Sequence, residues 1–404
     1  MAVDDLWYLS RRDPATNDRV PSKRHGRGKR WRVRWTDPRT GEPHTGSFKR
    51  KADAERHDVN MHADISRGQY IDPRAGKITV TKYANQWRAM QLHRDSTADM
   101  VERAFRLHIL PTLGHYAISD LRASHLRTWV KTTADKLAAS SIHLVYSYVK
   151  SMLNAAVADR VISVSPCSGV RLPEIANRGY FIPSPDQVHA LTDEIAERYS
   201  PIPLVAAGCG LRGSEVFGLE LDHIDFLRRE IHIRQQLKRM AGQPAYVGEL
   251  KSSTSRRTVE LPEVVQNALA RHLELHPPVL AQIEDRTDPR DVHCRPSRLL
   301  FVTAHGRPLH RSNWSTVWRT AVRRAGLPAG FGLHGLRHYF ATLLIHNGAS
   351  VKTVQLALGH SSPTITLNTY AHEWPDALDR TRALVDAALT RPSGSSDSAT
   401  AARS

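Results

Sequence analysis

The chain has 404 residues, room for two or three domains, and its 57 Lys+Arg against 40 Asp+Glu give a formal net charge of +17. Such an excess favours a polyanion through counterion release and electrostatic steering, although basic membrane-surface proteins carry a similar balance. Cys167, Cys209 and Cys294 lie far apart without CxxC spacing, which supports neither a zinc knuckle nor a disulfide framework; no stretch approaches the roughly 20 apolar residues of a membrane span, and acids stand at Asp4 and Asp5 where a signal peptide needs base, so a cytoplasmic protein is expected.

Between Arg19 and Lys51 basic residues crowd the chain, opposed only by Asp37 and Glu42. Trp31-Arg32-Val33-Arg34-Trp35 alternates apolar and basic side chains, as a half-buried strand does. Thr36 to Gly41 is turn chemistry, His44 to Phe48 can return as a second strand, and Trp7-Tyr8-Leu9 can supply a third. A helix follows over Ala52 to Ser66. Residues 1–75 are thus expected to form a three-stranded sheet with one helix. Arg30, Arg32, Arg34 and Lys49 would lie on one face, against DNA or as a solvated strand face.

Arg74 to Lys77 is a linker, and residues 76–173 carry almost continuous helical pattern. The expected helices are Thr81–Leu92, Ser96–Ile109 stopped by Pro111, His125–Ala138 and Ser141–Arg160. By periodicity alone they are a four-helix bundle. Val161 to Pro185 holds Pro166, Pro173, Pro183 and Pro185 with Gly169 and Gly179, a second linker. Residues 174–390 mix helices with a short β segment between Ile231 and Leu261. Residues 391–404 are low in hydrophobic side chains and expected to be disordered.

This third region holds a set of residues able to cleave a phosphodiester without a metal. That reaction needs a nucleophile, cations for the non-bridging oxygens, a proton acceptor and a proton donor for the leaving oxygen. In Gly210-Leu211-Arg212-Gly213-Ser214-Glu215, Arg212 and Glu215 share a helix face. They form either an oriented phosphate grip or an ordinary ion pair. In His334-Gly335-Leu336-Arg337-His338, Arg337 offers a second guanidinium fork, and His334 can take and return a proton near working pH. His360 can bond the phosphate, whereas His338 and His372 are read as structural. Lys251, read at a hairpin tip, is either a proton donor reaching into a groove or a solvated turn lysine. Tyr370 is either the nucleophile, a phenol of pKa about 10 that needs neighbouring cations, or a buried tyrosine with a bonded hydroxyl.

In this order the set resembles the catalytic signature of the tyrosine recombinases, the phage-integrase family. Lys251-Ser252-Ser253-Thr254-Ser255-Arg256-Arg257 resembles the family's lysine hairpin. Leu113-Gly114 with Ile118 and Leu121 resembles the joint of its core-binding domain, and the first 75 residues resemble an arm-binding module. The resemblance implies a multidomain, mainly α fold with small β-sheets: a small α+β N-terminal module, a helical SAM-like core-binding domain, and a mixed, mainly-α catalytic domain. It implies a site-specific recombinase that works through a 3′-phosphotyrosine and integrates or excises a prophage or other mobile element. The catalytic residues would be Arg212, Lys251, His334, Arg337, His360 and Tyr370, supported by Glu215. The partners would be double-stranded DNA at attachment sites, three further copies in a homo-tetramer, and an accessory DNA-bending or directionality factor. No metal, nucleotide or other cofactor is expected, and no GxxxxGK[ST] loop is present. A chromosome-dimer resolvase, a type IB topoisomerase or a DNA-binding regulator without activity are the alternatives. The basic N-terminal module argues against the resolvase.

Overall fold

The alternation at Trp31–Trp35 puts Val33 and Trp35 inward, where they pack with Ala54 and Tyr70. Trp35 Nε1 donates to Tyr70 Oη at 3.0 Å. In this computed structural model the described residues are 3–176, 179–240 and 242–374, with helical positions at 385, 386, 388 and 389. The tail expected to be disordered lies outside them. The chain divides into two units, residues 1–177 and 178–404. The boundary expected at residue 75 falls inside the first.

In the first unit, β1 (Val3–Asp5), β2 (Tyr8–Arg12), β3 (Arg19–Pro21), β4 (Trp31–Thr36) and β5 (Pro43–Phe48) precede α1 (Lys51–Ser66). They form an antiparallel sheet in the order β1-β4-β5 and a separate β2-β3 ribbon. The third strand is therefore Val3–Asp5, and Tyr8 belongs to the ribbon. The cause is local: Asp5 Oδ1 accepts the Trp7 N–H at 3.1 Å, a turn that ends the first strand.

The helical part comprises α2 (Val80–Ala89), α3 (Asp95–Ala104), α4 (Leu110–Leu113), α5 (Ala123–Ala134) and α6 (Ala139–Ala158). Tyr83, Trp87, Phe105, Leu126, Trp129 and Leu153 are among its buried core. Pro111 does not stop the second helix. A π-helical segment at Phe105–Ile109 joins α3 to α4, so the proline falls in the first turn of α4. The helix thus runs on through Pro111, with the Leu110 N–H reaching back to Phe105 O across the wider π turn, the kind of local adjustment that accommodates a proline.

The second unit begins with α7 (Pro185–Glu194), α8 (Pro201–Cys209) and α9 (Gly213–Phe217). Then come β6 (Ile224–Asp225), β7 (Glu230–Ile233), β8 (Gln236–Arg239), β9 (Ala245–Gly248) and β10 (Arg257–Glu260). After α10 (Glu263–Leu275), β11 (Ala281–Arg286) and β12 (His293–Ser297) add an unexpected hairpin. The sheets run β10-β7-β6 and β12-β11-β9-β8, with β11 parallel to β9. The sequence of β11 and β12 is too charged to look like strand; Arg295 carries it, bonding Asp285 Oδ2 at 2.5 Å and Glu220 Oε1 at 2.7 Å. Last come α11 (Arg311–Arg324), α12 (Leu333–His346), α13 (Val351–Leu358) and α14 (Pro363–Tyr370). α8 is apolar almost all round and sits in the core, with Ile202, Val205, Val265, Leu269 and Leu336 buried together.

Candidate active site

α8 ends at Gly210, whose φ of +63° suits glycine, and a Cβ there would come within 2.3 Å of Phe340 Cδ1. This turn delivers Arg212 to the start of α9 with extended backbone. Glu215, 2% exposed, accepts the Arg212 backbone N–H at 3.0 Å and its Nη1 at 2.6 Å. Arg257 Nη2 donates to the same carboxylate at 3.0 Å, and its Nε donates to Ala357 O at 2.9 Å. Burial alone would raise the Glu215 pKa, but Arg257 and Arg212 outweigh it and hold the carboxyl below its usual range. Arg212 and Glu215 are thus an oriented pair, and Arg257 is a third member that sequence reasoning left without a task. The only sequence signal for it is its place after Arg256 in the lysine segment.

Arg337 on α12 is 1% exposed. Its Nη1 donates to Gly210 O and its Nη2 to Leu358 O, each at 2.7 Å. Burial, then the nearby Arg212, press its pKa downward. His334, one turn earlier on the same helix, opens to solvent on one side. Partial burial, then the charges of Arg337, Arg212 and Lys251, lower its pKa, which favours the neutral imidazole. His360 follows Gly359, which also has a φ of +63°, and its Nδ1 lies 2.9 Å from Thr366 Oγ1. Burial and then Arg337 and Arg212 push its pKa down to about 4.

Tyr370 ends α14 and is 2% exposed. Burial pushes its phenol up to about 12, with Arg337 opposing and Glu373 adding. Its hydroxyl lies 2.8 Å from His338 Nδ1. The structure thus places on the phenol oxygen a histidine that the sequence reading set aside as structural, and not His334. Tyr180 stacks flat on the His338 ring, with centroids 4.4 Å apart and planes at 10°.

Lys251 lies elsewhere than a hairpin tip. The tip is the turn between β8 and β9, whereas Lys251 is exposed in the irregular segment that leads from β9 to β10. In that segment Ser252 Oγ lies 2.9 Å from Ser255 Oγ, which accepts from Arg212 Nη1 at 3.3 Å. Arg212, Glu215, His334, Arg337, His360 and Tyr370 are therefore brought to one locus, with Lys251 close enough to be felt at His334. Two guanidinium groups, a phenol and neutral imidazoles in one place can hold a phosphodiester and attack it.

Arg30, Arg32, Arg34 and Lys49 belong to the first unit. Arg30 pairs with Asp5 at 2.8 Å, Arg32 with Asp4 at 3.1 Å and Arg34 with Asp4 at 2.9 Å. Lys49 is exposed just past β5. Sequence reasoning missed this role for the two acids. Asp37, His44 and Asp72 bring three metal-ligand atoms within 4.8 Å of one another, but Arg74 Nη2 lies 2.9 Å from His44 Nδ1 and supplies a cation there already.

Residues 184–376 match the phage integrase family, and residues 79–133 match the phage integrase N-terminal SAM-like domain. An integrase of Mycobacterium phage D29 is 24% identical over 357 residues, 86% of this chain and 91% of the relative. A XerC-like tyrosine recombinase of Caldanaerobacter subterraneus is 26% identical over 254 residues, 59% of this chain and 63% of the relative. Among solved structures, the Tn1549 transposon integrase in complex with circular intermediate DNA superposes with a TM-score of 0.65 at 25% identity, over 77% of this chain and 99% of that one. With both family matches in hand, and with a buried tyrosine and two arginines gathered inside the residues of the first of them, the chain belongs to the phage integrase family of tyrosine recombinases, enzymes of site-specific DNA recombination.

Proposed function

We propose that this chain integrates or excises a prophage or other mobile element, with Tyr370 as the nucleophile. The observation that carries the reading is the convergence of Arg212 and Arg337 with Tyr370 from three separate helices. The Tyr370 oxygen attacks phosphorus, the bond to the 5′-oxygen breaks, and a 3′-phosphotyrosine forms. Arg212 and Arg337 take the charge of the non-bridging oxygens, and His360 bonds the same phosphate. His334, neutral and open to solvent, receives the phenol's proton and returns it on rejoining. Lys251 gives a proton to the departing 5′-oxygen. The ester conserves the energy of the broken bond, so rejoining needs no nucleotide.

The substrate is double-stranded DNA at attachment sites, held by residues 76–173 and the catalytic unit. Four copies act on two duplexes, inside the cytoplasm, with an accessory DNA-bending or directionality factor. Arg30, Arg32, Arg34 and Lys49 on the first 75 residues bind arm-type DNA. That basic sheet favours an integrase over a chromosome-dimer resolvase.

A nicked suicide substrate run on a denaturing gel tests the nucleophile. Wild type is expected to form a covalent adduct, and Tyr370→Phe to bind the same DNA without forming one. An adduct retained by Tyr370→Phe removes Tyr370 from the reaction.

A further inference from the structure

The strand-transfer chemistry gives His338 no task, yet His338 is what the Tyr370 hydroxyl touches. It follows Arg337 on α12, and its Nδ1 stands 2.8 Å from the phenol oxygen. The ring is boxed in. Tyr180 lies parallel to one face at 4.4 Å and 10°, and His334 meets it edge-on at 4.7 Å and 77°. Tyr180 also meets the Tyr370 ring edge-on, at 5.7 Å and 73°. One aromatic side chain therefore braces both partners of the hydrogen bond.

We infer that His338, held in plane by Tyr180, is a positioning residue for the nucleophile: its Nδ1 accepts the phenol's hydrogen bond and so sets where the attacking oxygen stands. This rests on the reading of Tyr370 as nucleophile. A phenol donates, so Nδ1 must be bare and the ring proton must sit on Nε2. Burial and the nearby His334 and Arg337 bring the His338 pKa down to about 4, while burial drives the Tyr370 phenol up to about 12. Across that gap the proton stays on the phenol. At rest the bond therefore holds the hydroxyl in place without deprotonating it. Fixing an attacking atom is worth a great deal, since a misplacement of about 1 Å can cost about a hundredfold in rate.

The full chain is assayed on the suicide substrate. His338→Ala should slow adduct formation about a hundredfold while DNA affinity stays level. His338→Asn, whose side-chain oxygen stands near the place of Nδ1, should recover part of that loss. Tyr180→Leu should slow the reaction, and Tyr180→Phe, which keeps the stacked ring, should retain more of the rate. The deciding arm uses hydrogen peroxide as an external nucleophile in the Tyr370→Phe chain. There His338→Ala should change nothing, because the oxygen it positions is gone. An equal loss of peroxide cleavage would place His338 in phosphate activation or folding and overturn the inference. An adduct still formed by Tyr370→Phe would instead defeat the nucleophile reading. Nitrogen NMR of histidine-labelled wild type gives a check without a His338 variant. A bare, hydrogen-bonded Nδ1 whose resonance moves in Tyr370→Phe supports the inference, and an Nδ1 carrying the proton overturns it.

Discussion

Arg337 shows how much one side chain is asked to do. Its guanidinium is buried, bonded to Gly210 O and Leu358 O, and still proposed to meet the phosphate. A lysine would offer one nitrogen in place of the two that reach these carbonyls, without the planar fork. Arg337→Ala and Arg212→Ala are each expected to cut adduct formation by about a hundredfold or more, the usual loss when one transition-state donor is removed. DNA affinity measured in parallel should change far less; an equal loss of both would make the arginines mere anchors. Lys251→Ala should be rescued by a substrate whose 5′-bridging oxygen is sulfur, since a thiolate leaves without a proton. His338 and His360 also set a pH dependence. Each is held neutral in the folded chain, with its pKa near 4 against an ordinary value of 6.5. The unfolded chain therefore binds more protons between those values, and stability falls as pH drops from 6.5 toward 4. Thermal melts across that range should show it, with a smaller drop in His360→Asn. Arg212, His334, Arg337 and Tyr370 were singled out by an order that resembles the family's signature, since residue by residue a structural role stayed open for each. His338's partner was not, because a hydrogen bond between α12 and α14 leaves no spacing signature. The same holds for Tyr180 stacked on His338, and for Arg257 shared with Glu215.

Among the elements, β1 carries the least anticipated chemistry. It adds two carboxylates to a sheet whose neighbouring strand is basic, and Asp4 takes both Arg32 and Arg34. Arg34 is 60% exposed in its side chain, and such exposed pairs are worth at most about 1 kcal/mol, so a phosphate can compete for the arginines cheaply. Asp4→Asn should then tighten binding to long duplexes that carry arm sequences, as anisotropy titrations would read. Weaker binding would mean that the aspartate's work is to order the arginines. The alternation of β4 made this sheet legible, but its third strand was misplaced because Trp7 and Tyr8 outshine Val3-Asp4-Asp5 in strand propensity. Pro111 misled in the opposite way, since a π-helical segment that moves a proline to the first turn of the next helix has no local sequence mark. β11 and β12 escaped notice because ion pairs, rather than apolar alternation, support them.

For the molecule as a whole, the charge of +17 sets the expected response to salt. Each phosphate neutralised adds about −0.9 to the slope of log affinity against log salt. Replacing Arg30, Arg32, Arg34 and Lys49 together with alanine should flatten that slope on long arm-bearing substrates. Cleavage at the core crossover site should persist. An unchanged slope would leave those side chains as a solvated face. Linkers rich in proline and glycine were readable, and the strongest, over residues 161–185, contains the division between the two units at 177 and 178. The linker expected near residue 75 lies inside the first unit, between the buried cluster around Val33, Trp35, Ala54 and Tyr70 and the separate core of the helices that follow.

Arg337 also ties two helix ends into one event. Gly210 O and Leu358 O belong to the last turns of α8 and α13, where backbone carbonyls lack intrahelical donors. Helix ends fray first and separately, unless something shared closes them. Here a single guanidinium closes both, with three of its five N–H groups left for other acceptors. Amide hydrogen exchange in those two turns should therefore follow a common rate, one opening for two helices, and Arg337→Lys should split it into two.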